Sequence, residues 1–303
     1  MASRPEATCV LGFWLSWLCM LSLAKDFTPW LQPSSHTRSC TQMQARRFSR
    51  YSRSLRRTAG NTLRPGDRQH LLAELPGEVD QRVSDLLGHF EEAYAAPDFS
   101  PQQLKEEYNT YFRPQAASQA WQELSPRGFA RLLADERLTS SSAVVDVGSG
   151  LGKLVAVAAA TTPVSAAWGI ELSPCRAEAA AEARKKLEAL GALSSVEVER
   201  MRLLQGNCLE DLSEEALSAS HFLLTMRRVG KLPAGTRQVS ERFLDLLARR
   251  GDTKVVWSVG KRLEPRPGLE YVHSCMLDAE WTDQEDVLIH RYSLDSAAEA
   301  ATH

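Results

Sequence analysis

The chain has 303 residues, room for one large domain with appendages or two small ones. Its 43% hydrophobic and 24% charged residues exclude a wholly disordered, collagen-like or coiled-coil protein. The formal net charge of −2 hides an asymmetry: residues 1–68 carry eleven Lys/Arg against three Asp/Glu, and the remainder 25 against 35. An acidic body does not draw in nucleic acid by its general field, so any such attraction falls to the basic arm.

Taken in chain order, Thr8–Ala24 is uncharged and apolar, follows Arg4, and ends in the small-residue pattern Ser22-Leu23-Ala24. At seventeen residues it is short for a bilayer span and suits a signal-peptide core over residues 1–24. Residues 25–68 become rich in Arg, Ser and Thr (Arg46, Arg47, Arg50, Arg53, Arg56, Arg57), the composition of an organelle transit segment. The pair suggests secretory-route or plastid targeting. A signal anchor with a basic flank, or a retained arm contacting phosphates or import receptors in a nuclear protein, are the alternatives.

Residues 69–137 read as a helical extension. Val79, Val83, Leu86, Leu87 and Phe90 recur at helical spacing across Val79–Ala93, and Ser100-Pro101 and Ser125-Pro126 are helix starts with Ser as N-cap and Pro at the first position. Residues 138–295 change rhythm. Strands are expected at Ala143–Val147, Ser165–Ile170, Met201–Leu204, His221–Leu224 and Lys254–Val259. Helices fall between them at Leu151–Ala160, Pro174–Leu190 and Gln238–Arg250, and two β runs without a helix, Tyr271–Leu277 and Val287–Tyr292, close the chain. Alternation predicts an α/β fold with a mostly parallel Rossmann-like sheet and an antiparallel hairpin at its C-terminal edge. Residues 296–303 read as a frayed tail.

The chemistry concentrates at Asp146-Val147-Gly148-Ser149-Gly150-Leu151-Gly152-Lys153, where the first strand hands over to the first helix. Glycines at alternate positions let a ligand approach the backbone closely. The spacing fits neither a P-loop, which needs GxxxxGK[ST], nor the dinucleotide fingerprint GxGxxG. Six cysteines and seven histidines are scattered with no CxxC pair, so no metal site and no disulfide scaffold is expected. Trp168, Trp257, His221, His273 and His290 on strand positions read as structural.

GxGxG after an acidic strand end resembles the first motif of class I S-adenosylmethionine-dependent methyltransferases. That resemblance implies S-adenosyl-L-methionine as cofactor, with Asp146, Gly148, Ser149, Gly150 and Gly152 forming the turn beneath it. It further implies Glu171 on the ribose hydroxyls, Asn207 near the adenine amine and Cys208 beside it. Within the class, Trp121-Gln122-Glu123, Trp168-Gly169-Ile170-Glu171, Gly206-Asn207-Cys208-Leu209, Glu241-Arg242-Phe243 and Glu280-Trp281-Thr282 resemble the disruptor-of-telomeric-silencing histone lysine methyltransferases, the non-SET class, over roughly residues 100–292. The likeness implies Glu123 at the methionine end of the cofactor, a protein lysine as acceptor, and Thr225 at the head of the segment lining the target channel. Glu123 and Thr225 are thus the candidate catalytic residues. Three departures stand out: Asn207 replaces the usual Asp, Lys153 a usual Gln, and Thr225-Met226-Arg227-Arg228 the family's Asn-Asn-Phe. Histone-type lysine methylation, methylation of another protein or a small molecule in an organelle, and cofactor binding without turnover remain open on these residues.

Overall fold

The computed structural model describes residues 70–94, 99–114, 124–225, 239–278 and 287–295. The expected segments 1–24, 25–68 and 296–303 lie outside these, as do Glu123, Met226, Arg227, Arg228, Trp281 and Thr282.

Helix α1, Gly77–Ala93, turns Val83, Leu86, Phe90 and Ala93 inward. Helix α2, Pro101–Glu107, starts in a capping box between Ser100 and Gln103 and passes directly into a π-helical turn, Tyr108–Phe112. Helix α3, Pro126–Asp135, is capped by Ser125, whose hydroxyl accepts from Gly128 N. It fully buries Phe129, Leu132 and Leu133, each worth about 2 kcal/mol of transfer free energy. These apolar faces merge with that of helix α4, Lys153–Thr161, in one core on one side of the sheet. The N-terminal extension is therefore built into the same core as the sheet.

The seven strands are β1 Ala143–Val147, β2 Ala166–Glu171, β3 Met201–Gln205, β4 His221–Leu224, β5 Lys254–Val259, β6 Leu269–Leu277 and β7 Val287–Leu294. They lie in the order β3-β2-β1-β4-β5-β7-β6. Pairing is parallel from β3 through β5 and antiparallel for β5–β7 and β7–β6. The order reverses at β1, which has β2 on one side and β4 on the other, so the crevice beyond its carboxyl end is where such a sheet accepts a ligand. Helix α5, Pro174–Ala189, crosses from β2 toward β3. Helix α8, Val239–Ala248, buries Phe243, Leu244 and Leu247 on the opposite face with Phe222 and Val256.

The architecture agrees with the sequence reading, with local differences that have physical causes. Helix α4 begins at Lys153, two residues later than expected, because Gly152 is left-handed at φ +79° and serves as its N-cap. Two short helices were not anticipated, α6 Ser195–Arg200 and α7 Glu214–Leu217; both start on a capping serine, Ser194 and Ser213. The final strands run further than expected at the ends where Leu269 pairs with Leu294. Trp257 and Trp168 are core, as expected.

Candidate functional site

The turn after β1 is hooked onto the end of β2: Gly148 N and Ser149 N both donate to Ile170 O, at 2.9 and 3.1 Å. Gly148, Gly150 and Gly152 all have positive φ (+87°, +56°, +79°), which a side chain would strain. Gly169, under the turn in β2, has no room either: a Cβ there would meet Val155 Cγ2 at 2.7 Å and Ser149 Oγ at 2.8 Å. Asp146 is buried within β1, opposite Gly169 and Leu223.

Glu171 ends β2 and is 4% exposed. Its Oε2 accepts from Gly150 N and its Oε1 from Ser173 N, each at 2.9 Å, with Arg176 Nη1 at 3.8 Å. An ionised carboxylate has about four acceptor positions, so two backbone donors leave capacity for more. The acid expected from the sequence is thus fixed against the glycine turn itself.

After β3, Gly206-Asn207-Cys208 forms a compact turn. Asn207 N donates to Asp211 Oδ2 at 2.6 Å, and a Cβ at Gly206 would fall 2.6 Å from that same oxygen. Asn207 Oδ1, expected to serve the adenine amine, accepts from Leu209 N at 3.1 Å, while its buried Nδ2 meets no protein acceptor. Its available group is therefore a donor. Cys208 is buried among Val145, Val147 and Phe222, and burial pushes its thiol up to about 12, so it offers an uncharged surface. Thr225, just past β4, donates its hydroxyl to Val147 O at 2.9 Å and lies 3.3 Å from Gly148 O. It stands at the switch point, and a Cβ on Gly148 would come within 3.0 Å of its Oγ1. Of the expected site residues, Asp146, Gly148, Ser149, Gly150, Gly152, Glu171 and Thr225 meet at this point; Asn207 and Cys208 stand one strand over. Lys153 directs its ammonium toward the Tyr94 ring, 6.0 Å from the centroid.

Sequence reasoning missed the wall of the site. A cleft of about 300 Å³ opens between Thr110 and Tyr111 of the π-turn, Leu172, and Gly206, Asn207 and Asp211. The π-turn is held in place through Glu107, 6% exposed, whose carboxylate accepts from Ser173 Oγ at 2.8 and 2.9 Å and from Cys175 N at 3.0 Å. The Cys175 thiol itself, hydrogen-bonded to the Glu107 carboxylate and partly desolvated, is raised to about 11. The Arg176 guanidinium packs 5.8 Å from the centroid of the buried Phe112 ring. The Ser173-Pro174 helix start was legible; that a distant glutamate would share its cap was not.

Comparison with known proteins bears on what this arrangement is. The family described as histone methylation protein DOT1 matches residues 100–256. No curated protein matches the chain. Among solved structures, TrmN from Thermus thermophilus aligns with 60% of this chain and 52% of its own, at 18% identity and a TM-score of 0.39. A SAM dependent methyltransferase from Aquifex aeolicus aligns with 65% of this chain and 100% of its own, at 13% identity and a TM-score of 0.39. The chain thus spans about half the length of TrmN. The family match takes in the glycine turn, Glu171, the Asn207 turn and Thr225. The chain belongs to the DOT1 family, which is described by histone methylation, and its seven-strand sheet is of the mostly parallel, Rossmann-like kind.

Proposed function

We propose that the protein methylates the side-chain nitrogen of a lysine on a histone-type protein. The observation that carries this reading is the match of residues 100–256 to a family described by histone methylation.

The residues present suit the cofactor that fold and family imply. Gly148, Gly150 and Gly152, where positive φ disfavours a side chain, would form the floor beneath it together with Ser149. Glu171 would accept from the ribose hydroxyls with its remaining lone pairs. Asn207 would present its unsatisfied Nδ2 to an acceptor nitrogen of the adenine ring, with Cys208 as apolar support. Asp146 would back the turn from β1, and Glu123, outside the described residues, would approach the methionine end. Bound, the cofactor supplies an electrophilic methyl group for in-line transfer to a neutral amine.

A free lysine titrates near 10.4, so the acceptor must lose its proton before reacting, which burial favours. Thr225 contributes orientation. Its hydroxyl hydrogen is committed to the Val147 carbonyl, which leaves oxygen lone pairs to accept from an incoming amine. A histone acceptor places the working compartment in the nucleus; among the described residues no helix is long and apolar enough to cross a membrane.

The test is transfer of label from methyl-labelled cofactor to nucleosomes, resolved by histone and by residue. Lysine labelling abolished by Gly150→Arg is the expected outcome. Absence of lysine label on every histone, with label appearing on other proteins or small molecules, would overturn the acceptor assignment.

A further inference from the structure

Away from the glycine turn, three side chains that are scattered in the sequence meet on the outer edge of the sheet. His70 precedes α1, Asp135 is the last residue of α3, and His273 lies on edge strand β6. His70 Nε2 is 2.7 Å from Asp135 Oδ2. The two imidazole rings face each other with centroids 4.4 Å apart and planes inclined by 33°. One nitrogen from each histidine and one Asp135 oxygen all lie within 4.8 Å of one another.

Each contributor is anchored by its own backbone. His70 N donates to Ser274 O at 2.7 Å, which fixes the segment to the strand that carries His273. Asp135 is set by the buried face of α3, and His273 by its pairing with Arg291 of β7. The neighbouring cations are engaged elsewhere: Arg131 donates to Leu72 O at 3.0 Å, and Arg291 grips both oxygens of Glu136 at 2.6 and 2.9 Å. Strands β4, β5 and β7 separate β6 from β1 and its glycine turn.

The geometry points to a structural transition-metal site in which His70, Asp135 and His273 bind one zinc-type divalent ion. A His-Asp ion pair accounts for the first contact alone; it gives no reason for a second imidazole to aim a nitrogen at the same point. Two imidazoles and a carboxylate form a donor set that zinc accepts, whereas calcium and magnesium favour all-oxygen sites. Bonds of about 2.0–2.2 Å to a tetrahedral ion would put the donors roughly 3.3 Å apart, so side-chain rotation of about an ångström completes the site. The ion would clasp the segment before α1, the end of α3 and the edge strand.

The experiment uses the tag-free full chain, stripped of metal with a chelator and titrated with Zn²⁺ by calorimetry, with melting followed in parallel. Co²⁺ serves as a spectroscopic probe, since coordination by imidazole and carboxylate gives visible absorption. One ion bound per chain, a raised Tm, and affinity reduced at least about ten-fold in His70→Ala and in His273→Ala are expected. No binding, or binding that both variants retain, overturns the site. Should either alanine variant fail to fold, Asp135→Asn decides, because it keeps the size and a hydrogen bond to His70. Unchanged Zn²⁺ affinity in Asp135→Asn rejects the assignment, and weakened affinity supports it.

Discussion

Glu171 ties together the two turns at either end of one β-α-β unit, because its oxygens receive one N–H from the glycine loop and one from the start of α5. Gly150 can adopt φ +56° and present its N–H to that carboxylate without strain. The site acid is held in position before any ligand arrives, so binding need not order it. In Glu171→Gln one acceptor oxygen becomes a donor facing another donor, and the negative charge is lost. Affinity for S-adenosylmethionine, measured by calorimetry, is expected to fall by about 10- to 100-fold while the sheet stays folded. Asn207 is a subtler case. The sequence told of an amide at this place; only the fold shows that its oxygen serves Leu209 N and its nitrogen remains available.

Among the elements, α2 and its π-turn depend on a carboxylate buried against a foreign helix cap. Glu107→Gln keeps the volume and one oxygen that both Ser173 Oγ and Cys175 N can reach, but it removes the charge and puts an NH2 where Oε2 accepts from Ser173 Oγ. A loss of about 1–3 kcal/mol is expected, with faster amide exchange over residues 101–112 than over the sheet. The Cys175 thiol, held near 11 mainly by the Glu107 hydrogen bond, would titrate lower in the variant and react faster with maleimide at alkaline pH. These elements also show how far the sequence could be read. The glycine turn and Glu171 were visible because both are defined within some twenty-five residues by spacing along one β-α-β unit. The mostly parallel sheet and its antiparallel C-terminal edge followed from the alternation of strands and helices, whereas the order of the strands did not. Glu107 against Ser173, Asp211 behind Gly206, and His70 beside His273 were not visible. Each is a contact whose partner is chosen by tertiary packing, and an isolated Glu, Asp or His carries no local signal of it. The short helices are a different kind of miss, since Ser194 with Glu197 is a capping-box pattern present in the sequence itself.

At the scale of the molecule, one half-buried ion-pair group joins three separate parts of the fold. Glu136, just past α3, binds Arg291 of β7 through both oxygens and lies 3.9 Å from His221 Nε2 of β4. Burial alone would raise its carboxyl, yet the hydrogen bonds from Arg291 and His221 overcome that and hold it at about 2, against an ordinary 4.5. Because the folded value is depressed, the stabilisation is fully present above about pH 4.5 and disappears as pH falls toward 2. It amounts to at most about 3 kcal/mol. Denaturant titrations at stepped pH are expected to show this loss in the native chain. Glu136→Gln should be less stable at neutral pH and flatter across the acid window.

Strand β6 forms one rim of the sheet, and a rim carries unsatisfied main-chain groups on which another polypeptide can grow. The amide of His70 covers one of those positions at Ser274. Any protease that trims the basic N-terminus therefore has a boundary to respect. A cut upstream of His70 would leave that position shielded, whereas a cut downstream would bare the Ser274 carbonyl on the rim to another polypeptide and favour self-association.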